Sequence, residues 1–175
     1  MFAKITRSSR TSCVAIMGGA IVLASAAQPA NAATETASMD VDATVTSNCA
    51  VSASPIAFGN VNVTSGSNAN ATGGISVTCT SGTAWAASAD AGLGTGATLS
   101  VRKMADGSDL LNYALYTDSG RTTLWGDGAG GTTATISDTG SGAAQEKTIY
   151  GRVPSGQSGV PAGSYADTVT VTVTY

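Results

Sequence analysis

Ser164–Tyr175 reads SYADTVTVTVTY. From Thr168 it alternates without a break, with Val169, Val171, Val173 and Tyr175 on one side and Thr168, Thr170, Thr172 and Thr174 on the other. Period 2 is the signature of a β-strand with one buried and one wet face. The residues are β-branched or aromatic, the types that fit a pleated surface. The sequence ends at Tyr175, so the strand is expected to leave an edge that no following residue covers, and an open apolar edge calls for a partner.

Residues 1–32 have the layout of a secretory signal. Lys4, Arg7 and Arg10 precede an uncharged apolar run, Cys13–Ala27, and Ala30-Asn31-Ala32 fits a small-x-small cleavage site. The run is about 15 residues long, short for a membrane span. The rest is expected to fold as one domain after export. Three of the eight basic residues fall in the leader, leaving five against eleven acidic ones, a net charge of −6. Such a chain lacks the basic surface that nucleic acid requires, and it has no basic amphipathic helix or long apolar segment for membrane insertion. Beyond the leader there are two cysteines, Cys49 and Cys79. In an exported chain two cysteines most simply form one disulfide, and without histidine they make a poor metal site.

No helical periodicity persists. Strand-like runs recur between Gly, Asp, Asn and Ser turns, the pattern of an all-β sandwich or barrel. They are Ala37–Thr46, Cys49–Phe58 (interrupted by Pro55), Gly74–Thr80, Thr83–Ala89, Thr98–Met104, Leu111–Thr117, Thr122–Trp125, Thr133–Ser137, Thr148–Val153 and the terminal strand. Asn60–Gly74 reads as a polar loop and Ala105–Asp109 as a turn.

The sequence contains no histidine. That removes the commonest general base and the usual nucleophile pairs, so no catalytic residues, metal site or cofactor are expected. Asp106 and Asp109 belong to a turn, where Asp is favoured by its local hydrogen bonds. Asp40 and Asp42 lie on the wet side of the first run. Trp85 and Trp125 are expected in the core; a lectin-like module would instead expose them.

In Ala37–Thr46, Met39, Val41, Ala43 and Val45 share one face. Pattern alone leaves two readings open. The run either pairs within its own domain, or it projects as an arm and completes another subunit by β-augmentation. The second mode is head-to-tail and makes a fibre.

Several motifs bear on that choice. Gly73-Gly74-Ile75-Ser76-Val77-Thr78-Cys79 resembles the second-cysteine strand of the spore coat protein U domain family. Leu111–Asp118 with Thr123–Gly128, Tyr150–Pro154, Gly163–Thr168 and Asn48-Cys49 with Pro55–Gly59 are similar to other parts of it, in the same order. The family includes pilin subunits of archaic, Csu-type chaperone–usher pili. The resemblance implies an incomplete immunoglobulin-like β-sandwich lacking its last strand, completed by a donor strand from another subunit. It divides the chain into a leader (1–32), a donor arm (33–46) and a domain (47–175). Met39, Val41, Ala43 and Val45 would be the donor side chains, and Val169, Val171, Val173 and Tyr175 the acceptor edge. The implied partners are related pilin subunits, a periplasmic chaperone and an outer-membrane usher. The product would be a surface pilus serving attachment and biofilm formation. A spore-coat or matrix protein with its arm paired in cis is the alternative.

Overall fold

The computed structural model describes residues 32–175. The expected leader lies outside them except for Ala32. The chain separates into two units, divided between Asp42 and Ala43. In the first, residues 32–42 form no strand and are exposed.

The second unit holds eight strands: β1 (Cys49–Ser54), β2 (Ala69–Cys79), β3 (Ala84–Ala89), β4 (Arg102–Asp106), β5 (Asp109–Tyr116), β6 (Ile136–Thr139), β7 (Gln145–Val153) and β8 (Val171–Thr174). One sheet has the order β1-β2-β7-β5-β4 and the other β6-β3-β8. Every pairing between these strands is antiparallel. The inward residues alternate as a pleated strand requires: Ile75, Val77 and Cys79 on β2, Trp85, Ala87 and Ala89 on β3, Leu111, Tyr113 and Leu115 on β5. Ile149 and Val153 of β7 and Trp125 complete a core shared by both sheets. The fold is an all-β, immunoglobulin-like sandwich.

Sequence and structure part company at several boundaries. Ala37–Thr46 alternates like a strand but lies in none, and β1 ends at Ser54 because Pro55 brings no N–H for a ladder. Part of the expected loop Asn60–Gly74 is strand: β2 starts at Ala69 and pairs with Val153 of β7, so a neighbouring strand outweighs the poor β-propensity of Asn70, Gly73 and Gly74. The turn at Ala105–Asp109 tightens to a two-residue hairpin, Asp106 opposite Asp109, with Gly107 at φ 60°. Thr122–Trp125 makes only isolated bridges, Tyr116 to Leu124 and Trp125 to Ala134.

The terminal alternation extends beyond the terminal strand. Tyr165, Asp167, Val169, Val171 and Val173 are half-buried while the residues between them are exposed. Ladder pairing to β3 covers only Val171–Thr174. Further back, Ala166 exchanges both backbone hydrogen bonds with Ala105 of β4, at 2.9 and 3.1 Å. The last segment therefore passes from an edge of the five-stranded sheet to an edge of the three-stranded one.

The Cys49–Cys79 disulfide is formed and joins β1 to β2 at a directly paired position. Arg102 is wholly buried. Its Nε donates to the Asp90 carbonyl at 2.8 Å, Nη2 to that of Trp125 at 2.9 Å and Nη1 to that of Leu99 at 3.1 Å. Burial lowers its pKa from the ordinary arginine value, while the hydroxyl of Tyr113 and the carboxylates of Asp90 and Asp167 favour the cation.

Candidate functional site

β1 is paired only to β2, and β8 only to β3, so each sheet has a free edge. Between them the sandwich is open. After β1, Pro55 turns the chain inward and Ile56 and Phe58 settle over glycines of the five-stranded sheet. A Cβ on Gly151 would lie 2.8 Å from Phe58 Cζ and 2.9 Å from Ile56 Cγ2, and one on Gly73 would strike Ile56 as well. Only glycine permits so close an approach. Phe58 meets Tyr113 edge to face, with ring centroids 6.2 Å apart.

The opposite wall is the segment leading into β8. Asp167 fixes it. Its Oδ2 accepts the Tyr113 hydroxyl at 2.6 Å, and its Oδ1 accepts the backbone N–H of Leu93 at 2.7 Å and of Thr168 at 2.8 Å. Burial, and then this hydrogen bond, push the Tyr113 phenol well above its ordinary pKa. Asp90 Oδ1 accepts from Thr170 N at 2.9 Å and Gly92 N at 3.0 Å. Burial would raise the Asp90 pKa, but the backbone donors of Thr170 and Gly92, the Thr170 side chain and the Arg102 charge outweigh it, and the pKa is lowered. Asp106 Oδ2 accepts Ser164 N at 3.0 Å.

These walls enclose a groove in two chambers. The first, about 500 Å³, lies between Ala53–Ile56 and Asp167–Val171, and its floor is the core itself: Ile75, Leu115, Trp125 and Ile149. The second, about 680 Å³, runs on between Val61, Val63 and Val160. Ile56, Phe58, Met104 and Tyr165 border both. No cluster of three or more metal-ligating side chains occurs among the described residues. What the groove offers is apolar surface beside unpaired strand edges, the chemistry of strand addition.

Of the expected acceptor residues, Val169 and Val171 line the groove. Val173 packs against the core beyond it. Tyr175 is 56% exposed, with its hydroxyl 3.4 Å from Asn48 Oδ1. Of the expected donor residues, Met39, Val41 and Val45 are 86%, 85% and 83% exposed, and Ala43 is exposed too. Trp85 and Trp125 are buried, with their indole N–H groups bonded to Gln145 Oε1 and the Ala87 carbonyl. Neither ring is exposed as a lectin-like platform would require. Sequence reasoning missed Ile56, Phe58, Tyr165 and Asp167 as groove residues. The available signals were Pro55 inside an apolar run and inward-facing glycines at Gly73 and Gly151.

The strands define an immunoglobulin-like β-sandwich with an open edge. Residues 35–172 match the model of the Spore Coat Protein U domain, and the chain belongs to that family. It is 38% identical over 84 residues to "Protein U" of Myxococcus xanthus, covering 47% of this chain and 45% of that protein. Its fold is similar to the crystal structure of a chaperone–tip adhesion subunit pre-assembly complex from archaic chaperone-usher Csu pili of Acinetobacter baumannii. There the TM-score is 0.53 at 23% identity, over 75% of this chain and 40% of that one. The chain thus spans less than half the length of each. No helix among the described residues is long and apolar enough to cross a membrane.

Proposed function

We propose that this chain is a structural subunit of a chaperone–usher pilus, polymerised by donation of its N-terminal arm into the groove of another copy. One observation carries the reading. An apolar groove floored by Ile75, Leu115, Trp125 and Ile149 exists in a chain whose Met39, Val41 and Val45 alternate on an exposed segment. Burying each such side chain contributes roughly 1.5–3 kcal/mol before ordering costs. Pairing the arm with the free edges also satisfies backbone groups on both sides. The Csu neighbour is a chaperone–subunit complex, which supports a periplasmic chaperone occupying the same groove before assembly, with an outer-membrane usher exchanging it for the next arm. The subunit would then be exported to the cell surface and serve attachment and biofilm formation. A coat role is the second reading, favoured by the family's name.

The test is polymerisation of the exported chain. The unaltered chain is expected to give an SDS-resistant ladder, and Val41→Asp with Val45→Asp to abolish it while leaving a folded monomer. A ladder that survives both aspartates would overturn the reading.

A further inference from the structure

The outer face of the five-stranded sheet, turned away from the groove, carries a cluster that neither the core nor the groove uses. On β7, Ile149 and Val153 are buried and alternate with Tyr150 and Arg152, which therefore point outward. Tyr150 lies directly across from Tyr116 of β5, and Arg152 from Asn70 of β2. Side chains paired in this way stand about 5 Å apart. Arg152 covers the Tyr116 ring, and Arg121, from the loop after β5, covers the Tyr150 ring, each guanidinium carbon 5.6 Å from its ring centroid. Both cations are fixed in place. Arg152 Nε donates to Asn70 Oδ1 at 3.2 Å. Arg121 donates from Nε to the Gly151 carbonyl at 3.0 Å, from Nη1 to that of Ser119 at 3.2 Å and from Nη2 to that of Ala71 at 3.4 Å. Among the described residues Arg121 is also the one non-glycine with positive φ, 56°. Side chains rarely tolerate that conformation, and where neighbouring contacts maintain it the position is often a functional one.

The charges stand out in an acidic chain. Beyond the leader there are five basic and eleven acidic residues. Arg102 is buried, and Lys147 is paired with Asp138 at 2.7 Å. No ion pair among the described residues involves Arg121 or Arg152. A guanidinium has five N–H donors, and the protein's own acceptors take one on Arg152 and three on Arg121. We propose that this face binds an acidic polysaccharide, a chain of uronic acid sugars. A carboxylate takes the open fork of Arg152 with two parallel hydrogen bonds. The sugar rings lie across the half-buried Tyr116 and Tyr150, whose cross-strand spacing is close to the length of one pyranose, and exposed Thr72, paired with Tyr150, offers a hydroxyl to them. The surface is a strand face and not a concavity, which suits a polymer passing over it better than a small ligand. Nucleic acid, with its far denser charge, is repelled by a chain of net charge −6. The tyrosine pair favours a sugar over an acidic peptide. The site lies within the β-sandwich and is independent of strand donation.

The experiment measures binding of the purified full chain to immobilised polygalacturonate by biolayer interferometry at low ionic strength. The methyl ester of the same polymer is the uncharged-sugar arm, and polyglutamate the acidic-peptide arm. Binding to polygalacturonate is expected, weakened by added salt, with both other polymers at least about tenfold weaker. Arg152→Gln is expected to weaken binding about tenfold with an unchanged urea midpoint, and Lys103→Gln on β4 to leave it unchanged. Thr72→Glu, at an exposed position, sets a carboxylate beside Tyr150 and is expected to abolish binding in a folded chain. No binding by the unaltered chain, equal loss in Arg152→Gln and Lys103→Gln, or binding that survives Thr72→Glu would overturn the site. Equal binding to the methyl ester would overturn the role of charge, and equal binding to polyglutamate the assignment to a polysaccharide.

Discussion

The Tyr113 hydroxyl donates to Asp167 Oδ2 across 2.6 Å, joining β5 of the five-stranded sheet to the wall that leads into β8. The contact spans 54 residues of sequence and sits at the groove. It ties the acceptor wall to the core's hydrogen-bonded framework.

That bond has a pH signature. The Tyr113 phenol is held above its ordinary pKa of 10.0 by burial and by Asp167. A group whose pKa is raised on folding contributes stability that is complete below the unfolded value and is lost as pH rises through the folded one. Denaturant unfolding should therefore show stability falling above about pH 10, and Tyr113→Phe should make the fall shallower. At neutral pH the same substitution is expected to cost about 1–3 kcal/mol, because Asp167 loses a donor.

Arg102 is the second anchor. Its guanidinium holds the carbonyls of Asp90, Leu99 and Trp125 from a fully buried position. Arg102→Met should cost about 3–5 kcal/mol in urea unfolding, since the buried Trp125 carbonyl and the part-buried carbonyls of Asp90 and Leu99 lose donors at once. Arg102→Lys should rescue little, because a single ammonium cannot reproduce a planar fork.

Cys49–Cys79 closes a loop with a sequence separation of 30. Replacing both cysteines by alanine should lower stability by about 3–4 kcal/mol on the chain-entropy model. The loss should be visible as a lower urea midpoint with a steeper slope, because the unfolded chain freed of the crosslink exposes more surface, and β1 is the strand it loosens.

The glycine seat gives a sharper test. Gly151→Ala places a methyl 2.8 Å from Phe58 and should cost about 1–3 kcal/mol in thermal unfolding. Gly159→Ala, with nothing within 4 Å, should stay within about 0.5 kcal/mol of the unaltered chain.

Much of the fold is legible in the sequence, and the exceptions have physical causes. Period-2 alternation marked β3, β5, β7 and the terminal segment, because one face of each is buried. The disulfide followed from two cysteines in a chain read as exported. The start of β2 was not legible, since Asn70, Gly73 and Gly74 read as loop until β7 supplies their hydrogen bonds. The far wall of the groove was hidden for a related reason. Ile56 and Phe58 read as strand residues, and only the approach of their segment to Gly73 and Gly151 shows them turned inward. Asp167 was not singled out as a site residue, because its partner Tyr113 is 54 residues away.

The central claim is that the arm of one copy occupies the groove of another. The most direct measurement mixes isotopically light and heavy chains, each with photo-methionine at position 39, lets them polymerise, and maps the crosslinks after irradiation. The account predicts crosslinks from Met39 to the Ala53–Ile56 and Asp167–Val171 walls that join light chains to heavy ones. Crosslinks to those walls confined to single chains would mean the arm pairs in cis, and would contradict it.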